Sequence, residues 1–379
     1  MHFFSSSRRL ARHLFPLILI SFTAAISPAQ VRGLDSVLIR HWHQAYFAEI
    51  HNDFPAIIAN YQVVLDRSEN QPADIGEWFK GTSYFAIARA EAYSGDTSRT
   101  REALANAMRH HFWNFSLVHA IDIFDSICGK SWIDSLCSYW ITVREMERPL
   151  WAPQATIVLK PKHLIPGKKY PLIIALQGGN DCYDRLALRL GRLPDVENVI
   201  LAIPPAVNRI SAITNTWDGD AEQGEAKVAG VISEMSIDPD VDTSDISLLG
   251  FSQGSRLAYS YGFKHSDQIR NIIAFAGFSP ADLDTNEMIR ASRNRIKVIA
   301  ISGKEDSPEF LHSTEALQAK AQSSGIHFVL RLEAGLPHGL PIHASQYCAA
   351  LWDELHGLTR ESKVFKSHKR CSINKRGKS

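Results

Sequence analysis

Asp245-Ile246-Ser247-Leu248-Leu249-Gly250-Phe251-Ser252-Gln253-Gly254-Ser255-Arg256-Leu257-Ala258-Tyr259 is the stretch whose reading governs the fold. Its first five residues read as a buried strand ending at Gly250, and its last five as the opening turns of a helix. Between them stands Gly-Phe-Ser-Gln-Gly, of the form G-x-S-x-G. Strand, sharp turn and helix is the context in which this pentapeptide carries a nucleophile. The glycines let the backbone pack closely around a strained serine. The turn lifts the hydroxyl clear of the sheet, and the helix N-terminus favours developing negative charge. Ser252 is therefore the candidate nucleophile. The plainer alternative is a glycine-rich turn with an idle serine.

Working outward from this stretch, short β-rich runs alternate with helical ones after Pro153. The expected strands are Thr156–Leu159, Leu172–Leu176, Val199–Ile203, Ile246–Leu249, Ile272–Phe275, Val298–Ile301 and Phe328–Leu332. The expected helices include Glu222–Met235, Arg256–Phe263, Glu309–Ala321 and Ala344–Leu355. Continuous apolar runs such as Leu172-Ile173-Ile174-Ala175-Leu176 suit strands buried on both faces, and alternating β and α elements predict a mostly parallel sheet flanked by helices.

This half, from about residue 155 to 355, resembles the α/β-hydrolase superfamily. Gly-Phe-Ser-Gln-Gly in particular resembles its carboxylesterase, phospholipase and acyl-thioesterase branches. The resemblance implies catalytic partners in the order serine, acid, histidine. A serine hydroxyl needs a base, and His338 is the foremost candidate. It lies in Gly335-Leu336-Pro337-His338-Gly339, a loop after the last expected strand. His343 is its nearest rival, while His265, His312 and His327 sit within or at the start of regular elements. The resemblance implies a carboxylate in the loop after Val298–Ile301, which makes Asp306 the candidate orienting acid. Glu305 is adjacent to it, and Asp282 and Asp284 are weaker alternatives. Acyl transfer also needs oxyanion donors. The backbone N–H of Gln253 is one candidate. Gly179, in Gln177-Gly178-Gly179-Asn180, is the other. Many relatives carry histidine where this chain has Gln177, a departure that bears on how the loop is supported. Trp217 is a candidate for the substrate pocket, with a core-capping role as the alternative. Asp218 and Asp220 lack the remaining ligands of a calcium loop. There is no zinc motif, phosphate loop or dinucleotide fingerprint, so neither metal nor cofactor is expected.

The N-terminal half has a different texture. Arg8, Arg9 and Arg12 precede an apolar run from Leu14 to Ile26, and Ser27-Pro28-Ala29 follows. A basic start, a short apolar stretch and a small-residue end describe a secretory signal peptide over residues 1–29. Secretion or export to a periplasm follows as an expectation. Residues 30–150 read as an all-α domain. Tyr84, Phe85, Ala88 and Ala92 form a stripe, Gly95-Asp96 breaks the helix, and Ala103 and Ala107 line the next. This resembles a tetratricopeptide-repeat hairpin, which implies a protein partner for the helical domain. The hydrolase domain is expected over residues 151–360. A tail of 361–379 is rich in Lys and Arg and poor in apolar residues, as disordered segments are.

Composition limits the function further. The chain has 379 residues, 45% of them hydrophobic and 21% charged, which suits a globular protein with a sizeable core. A formal net charge of +1 argues against a nucleic-acid partner. Five cysteines match no disulfide framework or zinc spacing, although Cys128 and Cys137 are close enough in sequence to pair if two helices meet there. The function expected is that of an exported serine esterase acting on a small-molecule or lipid-like ester. A serine peptidase and a non-catalytic interaction protein are the alternatives.

Overall fold

The computed structural model describes residues 34–219 and 221–358. The expected signal peptide over 1–29, the basic tail, Cys371 and Asp220 lie outside the described residues. The described residues form one compact unit. Among the described residues no helix is long and apolar enough to cross a membrane.

The first half is helical. It comprises α1 (Ser36–Ile50), α2 (Phe54–Ser68), α3 (Ala73–Tyr93), α4 (Thr97–Arg109), α5 (Phe115–His119), α6 (Asp122–Cys128) and α7 (Lys130–Glu147). Each of the first three packs on the next. Their starts are set by side chains that accept orphan backbone N–H groups. Asp53 caps α2 through the Ala56 N–H at 3.2 Å, and Asp96 caps α4 through Arg99 N–H at 2.9 Å. An aromatic cluster knots α1 to its neighbours. The Trp42 ring lies 5.4 Å from Tyr61 on α2, and 5.2 and 5.3 Å from Trp78 and Phe79 on α3. Such off-parallel pairs are the favoured aromatic geometry. Cys128 and Cys137 are free, buried thiols, so the pairing considered from their spacing is not made. Burial, with Asp134 and Asp125 nearby, pushes the Cys137 thiol up to about 11.

A short 3-10 turn at Arg148–Leu150 leads into residues 151–156, which belong to no regular element. This segment is the covalent passage into the second half. It is held down by Arg209, which donates to the Ala152 carbonyl at 2.7 Å and stacks over Trp151.

The second half is built on a seven-stranded sheet. Its strands are β1 (Ile157–Leu159), β2 (Tyr170–Leu176), β3 (Ile200–Ile203), β6 (Val241–Phe251), β7 (Ile269–Phe275), β8 (Lys297–Gly303) and β9 (His327–Glu333). They lie in the order β1-β3-β2-β6-β7-β8-β9, all parallel except β1. A two-residue ribbon, β4 (Asn208–Arg209) with β5 (Asn215–Thr216), stands apart. The helices are α8 (Tyr183–Leu190), α9 (Leu193–Glu197), α10 (Ala221–Ser236), α11 (Gln253–Lys264), α12 (Thr285–Arg293), α13 (Pro308–Ser323) and α14 (Ala344–Leu355).

The apolar runs now explain themselves. Successive side chains of a strand point to opposite faces. Leu172, Ile174 and Leu176 enter one core with α10, α11, α12 and α13, while Ile173 and Ala175 enter a second with α8, α9 and α14. β7 and β8 divide the same way: Ile272 and Val298 go to the first core, Ile273 and Ile299 to the second. Each fully buried Leu or Ile contributes roughly 1.5–3 kcal/mol. This double-faced sheet is what holds the strand ends still where the site is assembled. The architecture is the expected one: an α/β-hydrolase fold preceded by a helical region.

Candidate active site

Ser252 sits between the end of β6 and the first residue of α11, with φ +53° and ψ −116°. Few side-chain-bearing residues adopt this conformation, and holding one there costs of order 1–3 kcal/mol. The strain is held by bonds on both sides. Ser252 N–H donates to the Phe275 carbonyl at 2.9 Å, and Ser255 N–H donates to the Ser252 carbonyl at 2.9 Å. A Cβ on Gly250 would meet the backbone of Gly254 and Ser255 at 2.5 Å, and one on Gly254 would run into the Leu176 carbonyl. The turn therefore requires glycine at both places.

Three chain-distant side chains converge here. Ser252 Oγ lies 2.9 Å from His338 Nε2. His338 Nδ1 lies 3.0 and 3.1 Å from the two oxygens of Asp306. An ionised carboxylate can only accept, so Nδ1 carries the proton and Nε2 is left to accept from the serine hydroxyl. The Asp306 side chain has no exposed surface, and the His338 side chain is 16% exposed. Asp306 is fixed through its backbone N–H to Gly303 O at 3.2 Å and by accepting from Ser307 N–H at 2.7 Å.

The rival residues lie elsewhere. His343 is the exposed residue ahead of α14, His265 follows α11, His312 lies within α13, and His327 opens β9. Glu305 accepts from Gly335 N–H at 2.7 Å and so braces the loop that carries His338. Asp284 caps α12 through Asn286 N–H, and Asp282 is exposed.

The loop after β2 lies against the nucleophile turn. A Cβ on Gly178 would meet the Phe251 ring at 2.9 Å and Ser252 Cβ at 3.6 Å, while one on Gly179 would strike the Gln253 side chain. Gln253 is the first residue of α11, and its amide oxygen accepts from Thr216 Oγ1 at 2.8 Å and Trp217 N–H at 3.1 Å. Gln177 is fully buried, and its amide donates to the Asp181 carbonyl at 3.1 Å. The loop is thus supported from within at Gln177, where the family resemblance leads one to expect histidine.

Trp217 is 4% exposed, packs in the first sheet core, and donates its indole N–H to the Gln177 carbonyl at 2.9 Å. Its polar edge finds a partner while its rings fill the core, the placement of a core-capping tryptophan.

The His338 ring has aromatic neighbours that the sequence did not disclose. Around the His338 ring stand Tyr46 of α1 at 6.2 Å, Phe251 at 5.3 Å and Phe310 of α13 at 4.9 Å, with Phe278 stacked on Phe310 at 5.4 Å. Burial, and then the Asp306 charge, hold the Tyr46 phenol well above its usual range, so it stays neutral. Arg189 of α8 supports the histidine loop from behind, donating to the carbonyls of Leu340 at 3.0 Å and Pro341 at 2.5 Å. Burial and the neighbouring Arg185 pull its guanidinium down to about 9. Two aromatic residues on amphipathic helices read as core, and nothing in their spacing ties them to a distant histidine.

Residues 209–338, which contain all three converging side chains, match the family model described as phospholipase/carboxylesterase. No curated protein sequence matches the chain. Among solved structures, the esterase PE8 is 18% identical, covering 54% of this chain and 100% of its own at a TM-score of 0.45. An acyl-protein thioesterase 2 from Zea mays is 19% identical, with 54% and 100% coverage and a TM-score of 0.43. An uncharacterized protein from Bacillus cereus is 14% identical, with 82% and 99% coverage and a TM-score of 0.45.

Proposed function

We propose that the protein, whose residues 209–338 match the phospholipase/carboxylesterase family model, is a serine hydrolase cleaving carboxylic esters through an acyl-enzyme on Ser252. One observation carries this reading: the unbroken line of hydrogen bonds from Ser252 Oγ through the His338 ring to Asp306.

In the first step His338 Nε2 takes the hydroxyl proton as Ser252 Oγ attacks the ester carbonyl. Asp306 stabilises the imidazolium and holds its orientation. The carbonyl oxygen becomes an oxyanion, received by the backbone N–H groups of Gln253 and Gly179. Collapse of the tetrahedral intermediate expels the alcohol, which takes the proton from His338. Water then attacks the acyl-serine by the same route, releasing the acid and the free enzyme. The aromatic walls favour an apolar group next to the carbonyl, as in a small-molecule or lipid-like ester. The segment 1–29 supports an exported enzyme, secreted or periplasmic.

A fluorophosphonate probe tests the proposal, because it labels only an activated serine. The wild-type chain labels and hydrolyses an activated ester. Ser252→Ala does neither, while its thermal midpoint stays close to wild type. Labelling or hydrolysis retained in that variant overturns the assignment.

A further inference from the structure

We propose that Trp78, on helix α3 of the N-terminal half, is a positioning residue for the oxyanion loop, so that the helical region is a working part of the catalytic site. The inference rests on the reading of Ser252 as the nucleophile.

The loop Gln177-Gly178-Gly179-Asn180 has a mechanical problem. Two successive glycines have more backbone freedom than any other pair, and holding them in one conformation costs the most entropy. An oxyanion donor works only if it is already in place when charge develops. The structure meets this need with two indoles. Trp217 donates Nε1–H to the Gln177 carbonyl at 2.9 Å. Trp78 donates Nε1–H to the Asn180 carbonyl at 2.9 Å. The first bond fixes the peptide plane just before Gly178, and the second fixes the plane just after Asn180. The peptides that carry the Gly179 N–H and its successor are thereby clamped on both sides. Asn180 itself has φ +52°, a left-handed conformation that an unanchored asparagine leaves readily.

Trp78 is in turn held rigidly. It is 7% exposed and packs against Trp42 and Phe79. The Arg185 guanidinium lies 4.2 Å over its ring. Arg185 also makes a two-pronged bond to Asp181, the next residue of the loop, at 2.9 and 2.5 Å. Loop, arginine and indole form a closed circuit, and only Trp78 in it comes from the helical half. Trp217 belongs to the hydrolase half and supplies the other clamp.

The test uses the full chain with Trp78→Phe, and a second variant carrying 3-(3-benzothienyl)alanine at position 78, which keeps the bicyclic shape and lacks the N–H. Active sites are counted by fluorophosphonate titration, so that loss of folded protein does not count as loss of rate. Per labelled site, kcat falls about tenfold while KM changes less than about twofold, since the loop acts on the transition state. The inhibition constant of a trifluoromethyl ketone, which forms a hemiketal oxyanion on the serine, rises by the same factor. A purely structural role moves the thermal midpoint and leaves both per-site values alone. Unchanged per-site kcat and ketone affinity in the isostere overturn the inference, and the isostere decides if the phenylalanine variant fails to fold. Ser252→Ala runs alongside: if it still hydrolyses ester, the hydrolase reading itself fails, and this inference with it.

Discussion

The ring of Tyr46 stacks over the imidazole of His338 at 6.2 Å, an aromatic contact made by a residue far upstream of the sheet that carries the histidine. Tyr46 therefore stands as a wall beside the base. Tyr46→Ala removes that wall. The ratio of kcat/KM for an octanoyl ester to that for an acetyl ester rises roughly tenfold, in line with the worth of a few methylenes in an apolar pocket. Tyr46→Phe keeps the ring and moves the ratio less than about twofold. Parallel assays of the two esters check this.

Asp306→Asn keeps the volume of the buried acid but presents an amide N–H toward the imidazole. His338 then turns to the other tautomer, with its proton on Nε2, which can no longer accept the proton of the serine hydroxyl. We expect kcat to fall roughly 10⁴-fold. Steady-state hydrolysis and the rate of fluorophosphonate labelling should fall together.

Gly303 ends β8 at the point where the histidine loop crosses it. A Cβ there would run into the Leu336 carbonyl, a backbone atom that cannot yield as a side chain can. Gly303→Ala therefore pushes the His338 loop away from both Asp306 and Ser252. Activity drops more than about tenfold, and stability drops by about 1–3 kcal/mol. Urea denaturation and kcat on one preparation measure both.

Asp184 of α8 and Asp74 of α3 are like charges on the two halves. Burial, and then the Asp74 charge, raise the Asp184 carboxyl from 3.8 to about 6. In the folded chain it keeps its proton to about pH 6, whereas unfolded it has lost it near 3.8. The folded state binds more protons in this window, so its stability falls as pH rises through it. Asp184→Asn removes the liability. It stabilises the chain at pH 7.5 by on the order of 2 kcal/mol, and the gain vanishes below about pH 4. Urea midpoints at the two pH values decide it.

The elbow was legible because Asp245–Leu249 and Ser255–Tyr259 differ sharply in pattern, and the seven strands because buried parallel strands are unbroken apolar runs. Asp306 and His338 came from the order that the family resemblance implies, in loops that follow recognisable strands. Helix α8 was not read. It has only eight residues, and Arg185 and Arg189 lie buried in it, opposite to what arginine in a helix ordinarily signals. Tyr46 and Trp78 were unreadable for a more basic reason. Each lies on a helix face that looks like core, and only the docking of the two halves turns those faces toward the cleft. The burial of Trp217 was hidden for the same reason: a tryptophan in a polar loop looks exposed until its packing against the sheet is known.

The passage through residues 151–156 gives the site one more property. The helical half is joined to the hydrolase half through this one covalent passage, and contacts such as Trp78–Asn180 and Arg185–Trp78 hold the two together. The two halves stand as binding partners on a short leash, with an effective concentration of roughly millimolar. At that concentration an interface worth only about 4 kcal/mol would leave the cleft complete in half of the molecules, and each further 1.4 kcal/mol would improve the ratio tenfold. The Trp78–Asn180 and Tyr46–His338 contacts thus do two things at once: they shape the cleft, and they help set how many molecules possess one.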